Sequence, residues 1–360
     1  MTPSIIARRI AAAAVVLTAV ACADSAPLPT APASPDANAS RGSLPPQAQD
    51  RLELLFQRLS PEIMALPGTV FADNDEAAGR VVFGVEHAAA GRGVRLALAR
   101  LGVAEADYAV EVTPPIHQMA TLRDKFDPTR AGIQIHFGQY VCTMGFNVDY
   151  GGGRSFITNS HCTNTQGGTE GTVYYQPTSS TSGVIATEVD DPAYFKGGVC
   201  PRGKKCRYSD ASRALYATTT GSNRGEIART IGVNTQSLVV DANNPFFTIT
   251  GQNTADTPAA VGTTVNKVGR TTGWTAGTVT RTCVNTAVSG SQVMQLCQTW
   301  VNNPSATIVA GGDSGSGVFT GTGNVTLVGI LWGGSSDNKT FIFSPLKQIQ
   351  QELGSFTATK

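Results

Sequence analysis

A serine hydroxyl attacks a carbonyl carbon only when a base takes its proton and N–H donors receive the charge that develops on oxygen. The stretch Ala310-Gly311-Gly312-Asp313-Ser314-Gly315-Ser316-Gly317 carries a serine fit for that step, and its glycines supply the turn. Without a Cβ, Gly312 and Gly315 let the backbone bend tightly enough for its N–H groups to face one point. The base must come from elsewhere in the chain. Thr158-Asn159-Ser160-His161-Cys162 offers His161 at the end of an apolar strand pattern, where the rim of a sheet presents it to a cleft. The other histidines, His87, His117 and His136, stand in no comparable motif. The chemistry these parts suit is acyl transfer.

The segments TNSHC and GDSGSG, in that order, resemble the chymotrypsin-like serine proteases, and in particular the bacterial branch that includes alpha-lytic protease and the streptogrisins. The resemblance runs from about Ile133 to the C-terminus. It implies a serine endopeptidase acting on polypeptides. Its expected fold is all-β, with two Greek-key six-stranded β-barrels, a C-terminal helix and an active site between the barrels. No cofactor and no metal are implied. Ser314 becomes the nucleophile, His161 the general base, and the N–H groups of Gly312 and Ser314 the oxyanion hole. The aspartate that orients the histidine lies between the two in the family's chain order, which leaves Asp190, Asp191, Asp210, Asp241 and Asp256. Asp210 is favoured, since it precedes an alternating strand and its separation from His161 resembles the family's. Asp191 precedes Pro192 in an acidic turn and reads as solvated.

The resemblance extends to the surroundings of the triad. Ile308 falls near the base of the specificity pocket, which predicts a preference for apolar or small side chains, with Asp337 as the one nearby acid. Leu331, Trp332 and Gly333 match the segment that pairs with an extended substrate, and Leu331 stands where a serine usually supports the aspartate. Arg270, in Val268-Gly269-Arg270-Thr271-Thr272-Gly273-Trp274, matches an internal arginine that pairs with the buried aspartate before the nucleophile, here Asp313. Six cysteines inside the region of resemblance suggest the bridges Cys142–Cys162, Cys200–Cys206 and Cys283–Cys297. Two other functions fit the same residues: a protease-like binding module without turnover, and an esterase using the same triad.

The elements that must hold these residues are mostly strands. Runs rich in Val, Ile, Thr and Phe recur at 133–137, 141–148, 154–157, 172–175, 183–189, 226–231, 246–250, 278–284, 293–301, 307–310, 325–332 and 340–343. Gly151-Gly152-Gly153 marks a hairpin just before the histidine. After Pro345, Leu346, Ile349 and Leu353 recur at helical spacing. Ahead of this region, residues 50–130 read as a small α/β unit. Leu52, Leu55, Phe56 and Leu59 lie at helical spacing, and a strand, a helix and a strand follow near 81–83, 92–101 and 108–112. That unit is read as a pro-segment that partners the protease region 131–360, or as an accessory domain. Residues 24–49 are a linker of Ala, Pro, Ser and Asp.

Residues 1–23 join Arg8 and Arg9 to a short apolar run and read as an export signal. The odd cysteine of seven, Cys22, lies at its end. Cleavage after Ala21-Cys22-Ala23 and lipidation of Cys22 are both open, and a membrane enters as a partner only through the second. With 27 Lys and Arg against 26 Asp and Glu, the net charge is +1, so no basic field favours nucleic acid. The expectation is an exported monomer, either secreted or held at the cell envelope.

Overall fold

The structure, a computed structural model, describes residues 45–116 and 118–360. The leader, Cys22 and most of the linker lie outside the described residues. The chain divides into two compact units, the first ending at Ile116 and the second running from His117 to Lys360.

In the first unit α1 (Pro46–Met64) precedes β1 (Thr69–Asp75), β2 (Arg80–Val85), α2 (Ala88–Arg100) and β3 (Tyr108–Val112). β2 and β3 are parallel with α2 as their crossover, and β1 adds an antiparallel neighbour to β2 that the sequence pattern did not show. Pro46 opens α1, where its fixed φ suits a first turn, so the helix takes in residues that composition assigned to the linker. One face of α1, through Leu52, Leu59 and Ile63, packs with Val81, Phe83 and Val85 of β2 and with Val94 and Leu98 of α2. His87 caps α2, its Nδ1 accepting from Ala90 N at 3.1 Å.

The second unit is all β until its last helix. Its strands are β4 (Thr129–Ala131), β5 (Gln134–Phe137), β6 (Tyr140–Thr143), β7 (Phe146–Tyr150), β8 (Gly153–Thr158), β9 (Val173–Tyr175), β10 (Val184–Asp190), β11 (Lys205–Arg207), β12 (Ser212–Tyr216), β13 (Ser222–Ala228), β14 (Phe246–Gln252), β15 (Thr264–Gly269), β16 (Gly273–Ala287), β17 (Val293–Asn302), β18 (Gly317–Thr320), β19 (Asn324–Gly334) and β20 (Thr340–Pro345), with α3 (Leu346–Leu353) after them.

These strands close two rings. In the first, β5, β9, β10, β12 and β8 pair in that order, and β6 with β7 makes the remaining wall. Met144 N and Gly145 N, between β6 and β7, donate to Ile133 O and Ile157 O, so one bent strand pairs with β5 at one end and β8 at the other. In the second ring β15, β16, β17, β20, β19 and β18 pair in turn and β18 returns to β15. Each ring therefore has six walls, and closure leaves few edges. Outside the rings, β14, β13 and β4 extend the sheet from β19, and β11 pairs with β17.

Residues 307–310, expected as a strand, carry no ladder, while β15 and β18 complete the second ring. β15 escapes the pattern because Asn266 and Lys267 interrupt its apolar run although both are buried. The barrel unit also begins earlier than composition suggests. Leu122 is fully buried in the core with Ile133, and its N–H bonds Leu238 O. β4 runs parallel to β13. α3 buries Leu346, Ile349 and Leu353, as its helical spacing predicts.

Candidate active site

His161 lies in a single helical turn, Ser160–Cys162, just past the end of β8. Its Nδ1 is 2.5 Å from Asp210 Oδ2, and its backbone N donates to Asp210 Oδ1 at 3.2 Å. The two segments are tied along the main chain as well: Ser160 N and Asn159 Nδ2 both donate to Asp210 O, at 3.2 and 2.7 Å. Ser344 Oγ accepts from Asp210 N, and Gln166 Nε2 also donates to Asp210 Oδ1, at 3.4 Å. With a carboxylate at Nδ1, the proton of the neutral ring is held there, which leaves Nε2 as the basic atom.

The electrostatics follow from this geometry. Burial disfavours the charged imidazole, but the Asp210 carboxylate outweighs it and holds His161 above its ordinary value. Burial also works against the Asp210 carboxylate, yet His161 and Arg207 hold it below the usual range. A third of the His161 side chain, 32%, stays exposed, whereas Asp210 shows 2%. Asp210 is thus sealed behind His161, which still faces solvent.

Ser314 is fixed from the first barrel: Thr143 N donates to Ser314 O at 2.8 Å, and Thr143 adjoins Cys142, which is disulfide-bonded to Cys162 beside His161. Its neighbour Gly315 has φ +94°, and a Cβ there would lie 2.1 Å from Thr143 O, so only glycine lets the two barrels approach this closely. No hydrogen bond joins His161 to the Ser314 hydroxyl among the described residues; in unliganded sites that contact tightens when substrate arrives.

The Gly312 and Ser314 N–H groups are aimed by their own peptides. Gly311 O accepts from Thr271 Oγ1 at 2.7 Å, and Asp313 O accepts from Ser316 N and Ser316 Oγ. A trans peptide points its N–H opposite its carbonyl, so anchoring these carbonyls turns Gly312 N–H and Ser314 N–H the other way. Neither N–H has an acceptor among the described residues. Two free donors beside the serine are what an oxyanion hole requires.

Asp313 is fully buried, and its cationic partner is Lys267, not Arg270. Lys267 Nζ lies 2.9 Å from Asp313 Oδ2, with both side chains at zero exposure. Thr271 N, Thr272 N, Thr272 Oγ1 and Ala310 N complete the carboxylate's donors. The expected Arg270 fails because Thr271 N and Thr272 N are what the turn presents to Asp313, while Arg270 N bonds Thr143 Oγ1 and the Arg270 side chain lies against Gly312. There its Nε donates to Gln134 Oε1 at 2.7 Å. Lys267, two residues back from the end of β15, points inward by strand alternation.

Two hollows that share Gly333, Gly334 and Ser335 lie at the site, one beside Ser314 and one beside His161. One, of about 210 Å³, is lined by Val309, Ala310, Gly311, Ser314, Leu331, Gly333, Gly334, Ser335 and Asn338. Ile308, expected at its base, is instead sealed in the barrel core, and the pocket wall begins at Val309. The irregular 307–310 segment explains the shift, since without a ladder the strand alternation assumed for it does not hold. Asp337 is exposed, bonds Ser335 Oγ and Lys339 N, and does not line the pocket. The larger hollow, about 740 Å³, holds His161, Gln166 and Asp210 with Trp300, Trp332 and residues 285–289. β18 stops pairing at Ile330, so Trp332, Gly333 and Gly334 present an open strand edge beside Ser314. A Cβ on Gly333 would touch nothing, which leaves that edge clear.

Three solved structures that the chain resembles carry related names. They are Thermobifida fusca protease A (23% identity, 64% of this chain and 98% of that one, TM-score 0.45), an alpha-lytic protease homologue (20%, 64% and 98%, 0.46) and Cellulomonas bogoriensis chymotrypsin (23%, 65% and 100%, 0.43). The chain is similar to chymotrypsin-like bacterial proteases. No protein-family model and no curated protein matches it.

Behind His161 and Asp210 lies a buried charge network that carries no signal in the sequence. Asp191, read as a solvated turn residue, is 2% exposed and pairs with fully buried Arg207 at 2.6 Å. Its other oxygen accepts from Ser160 Oγ and Gly167 N. Arg207 also meets Glu352 of α3 and donates to Ala211 O, and Glu352 accepts from Tyr208 N, Ser209 N and Ser209 Oγ. The segments carrying His161 and Asp210 are therefore tied to each other and to α3. Leu331, placed where a serine was expected to support the acid, is buried in the second barrel, and Gln166 supports the carboxylate instead. The three bridges Cys142–Cys162, Cys200–Cys206 and Cys283–Cys297 are all formed.

Proposed function

We propose that this chain is an exported serine endopeptidase. The observation that carries the reading is the His161–Asp210 contact together with two unbonded N–H groups, of Gly312 and Ser314, around one serine. In the mechanism, an extended polypeptide adds along the edge at Trp332–Gly334, which places a carbonyl over Ser314. His161 Nε2 takes the hydroxyl proton as Oγ attacks. Asp210 stabilises the imidazolium, and the Gly312 and Ser314 N–H groups hold the oxyanion. His161 then protonates the leaving amine, and water repeats the sequence on the acyl-enzyme.

The pocket beside Ser314 has no charged side chain in its wall. A substrate Lys or Arg placed there would be buried without a partner, so small or apolar residues are favoured. Three disulfides suit an oxidising compartment. No helix among the described residues is long and apolar enough to cross a membrane. The first unit is read as a pro-segment removed on maturation. The test is hydrolysis of a peptide library and of matched esters by the wild type, Ser314→Ala and His161→Ala. Cleavage after small or apolar residues, abolished in both variants, is expected. Ester turnover without peptide turnover would make the protein an esterase, and turnover surviving Ser314→Ala would refute the assignment.

A further inference from the structure

Although the chain is nearly neutral, its charge is not evenly spread. Between residues 196 and 207 it carries Lys196, Arg202, Lys204, Lys205 and Arg207 and no acid. Arg207 is consumed by the buried network and Lys205 lies over the Tyr194 ring, 4.3 Å from its centroid. Lys196, Arg202 and Lys204 remain, and none of them pairs with a carboxylate among the described residues. They surround a hollow of about 490 Å³, with Gly197, Gly203, Pro201 and Gln292 completing its wall. The Cys200–Cys206 bridge closes the loop.

This loop is docked onto the wall of the catalytic cleft. β11 runs parallel to β17, with Lys205 opposite Val293, and Lys205 N donates to Gln292 O at 3.0 Å. Gln292 lines the basic hollow, while residues 285–289 of the same β16–β17 hairpin line the cleft with His161 and Asp210. One hairpin tip thus separates the scissile-bond site from three unpaired cations. The N–H groups of Arg202 and Gly203, two residues of the hollow's wall in a turn where Gly203 has φ +82°, have no acceptor among the described residues.

We propose that this loop is an accessory subsite that binds acidic side chains of the polypeptide substrate, on the part of the chain lying beyond the cleft. The inference rests on the peptidase reading but concerns substrate choice rather than chemistry. A carboxylate entering the hollow meets unpaired cations, so the attraction is electrostatic, screened by salt and expressed in binding rather than in the chemical step. The loop holds none of the residues assigned to the triad, the oxyanion hole or the pocket.

The test uses two peptide series with identical residues around the cleaved bond, one extended at either end by three Glu and the other by three Gln. Three exposed pairs make the Glu-extended peptide better by about five- to tenfold in kcat/KM at low salt, through KM. That advantage should vanish at high salt and in the triple variant Lys196→Gln/Arg202→Gln/Lys204→Gln, while hydrolysis of the Gln-extended peptide stays unchanged. Equal rates for the two series in the wild type, or an equal loss on both in the variant, overturn the proposal. A readout without turnover separates it from the peptidase reading. Fluorescein-labelled Glu-extended peptide should bind the Ser314→Ala protein in a salt-sensitive manner, lost in the loop variant. Anisotropy that is unaffected by the loop substitutions, or tighter binding of a sulfated polysaccharide than of the Glu peptide, counts against an acidic polypeptide as the occupant.

Discussion

Replacing Lys267 by Met should damage catalysis from beneath the site without touching the triad. Asp313 is at zero exposure, and Lys267 is the one cation hydrogen-bonded to it among the described residues. Removing one partner of a buried pair costs about 3–5 kcal/mol, because the remaining charge is stranded. Set against a total stability of about 5–15 kcal/mol, that leaves a folded but weakened protein. For a unit of this size each kcal/mol lowers the melting temperature by about 2–4 °C, so the fall should be roughly 6–20 °C. The kinetic effect has a different origin. Thr271 binds both Asp313 and Gly311 O, so a loosened Asp313 releases the anchor that aims Gly312 N–H. Loss of one oxyanion donor costs about 10²–10³ in kcat with little change in KM. Arg270→Met should cost much less, since it breaks bonds to Gln134 Oε1 and Thr271 Oγ1 and leaves all five Asp313 contacts in place. The double variant Lys267→Met/Asp313→Asn should recover stability but not turnover, because it removes the stranded charge and not the misaligned loop. Thermal melts and steady-state kinetics of all three variants decide the matter. An Arg270→Met enzyme slowed a hundredfold beside a near-normal Lys267→Met enzyme would refute the reasoning.

Three further outcomes follow from the same contacts. Because the general base must be neutral and Asp210 holds His161 above its ordinary value, the acid limb of kcat/KM should lie above the usual imidazole range; Asp210→Asn should lower that limb and cost about 10⁴ in kcat, and an unshifted limb would contradict the pairing. In stability the sign is opposite: the His161–Asp210 contribution is present below the unfolded histidine value and lost as pH rises through the folded one. Asp191→Asn should lower the melting temperature by weakening the buried pair with Arg207 while changing kcat by less than about tenfold, and an unaltered melt would mean that the network carries no stability. N-terminal sequencing of the active form should find a start upstream of Leu122, since Leu122 is fully buried in the barrel core; an active species beginning at Ile133 would show that segment to be dispensable.

Features whose placement depends on short stretches of chain were legible in the sequence. His161 beside Cys162, Ser314 between glycines, and the three cysteine pairs each depend on neighbours along the chain. Asp210 was legible through its position just before the alternating strand β12. What escaped depends on how a strand or turn is rotated in three dimensions. Lys267 and Arg270 are three residues apart, and which of them reaches Asp313 depends on where β15 ends and its turn begins. Ile308 was placed by counting along a strand, and the segment proved not to be one. Asp191 looked solvated because its pairing with Arg207, sixteen residues on, and the contact of Arg207 with Glu352 of α3 are set by the tertiary fold. Gln166 carries no sequence signal, since a lone glutamine in a loop is ordinarily solvated. The barrels themselves were readable as strand-rich sequence, but their closure through the bent β6–β7 strand depends on long-range pairing.

In the mechanism proposed above, one serine of this chain is activated as a nucleophile by the groups around it. Intact-mass and peptide-mass analysis after treatment with a fluorophosphonate tests it without a choice of substrate. One adduct per molecule is expected, on Ser314, absent in Ser314→Ala and strongly slowed in His161→Ala and Lys267→Met. A protein that stays unlabelled, or one labelled at a different serine at an equal rate in His161→Ala, would contradict it.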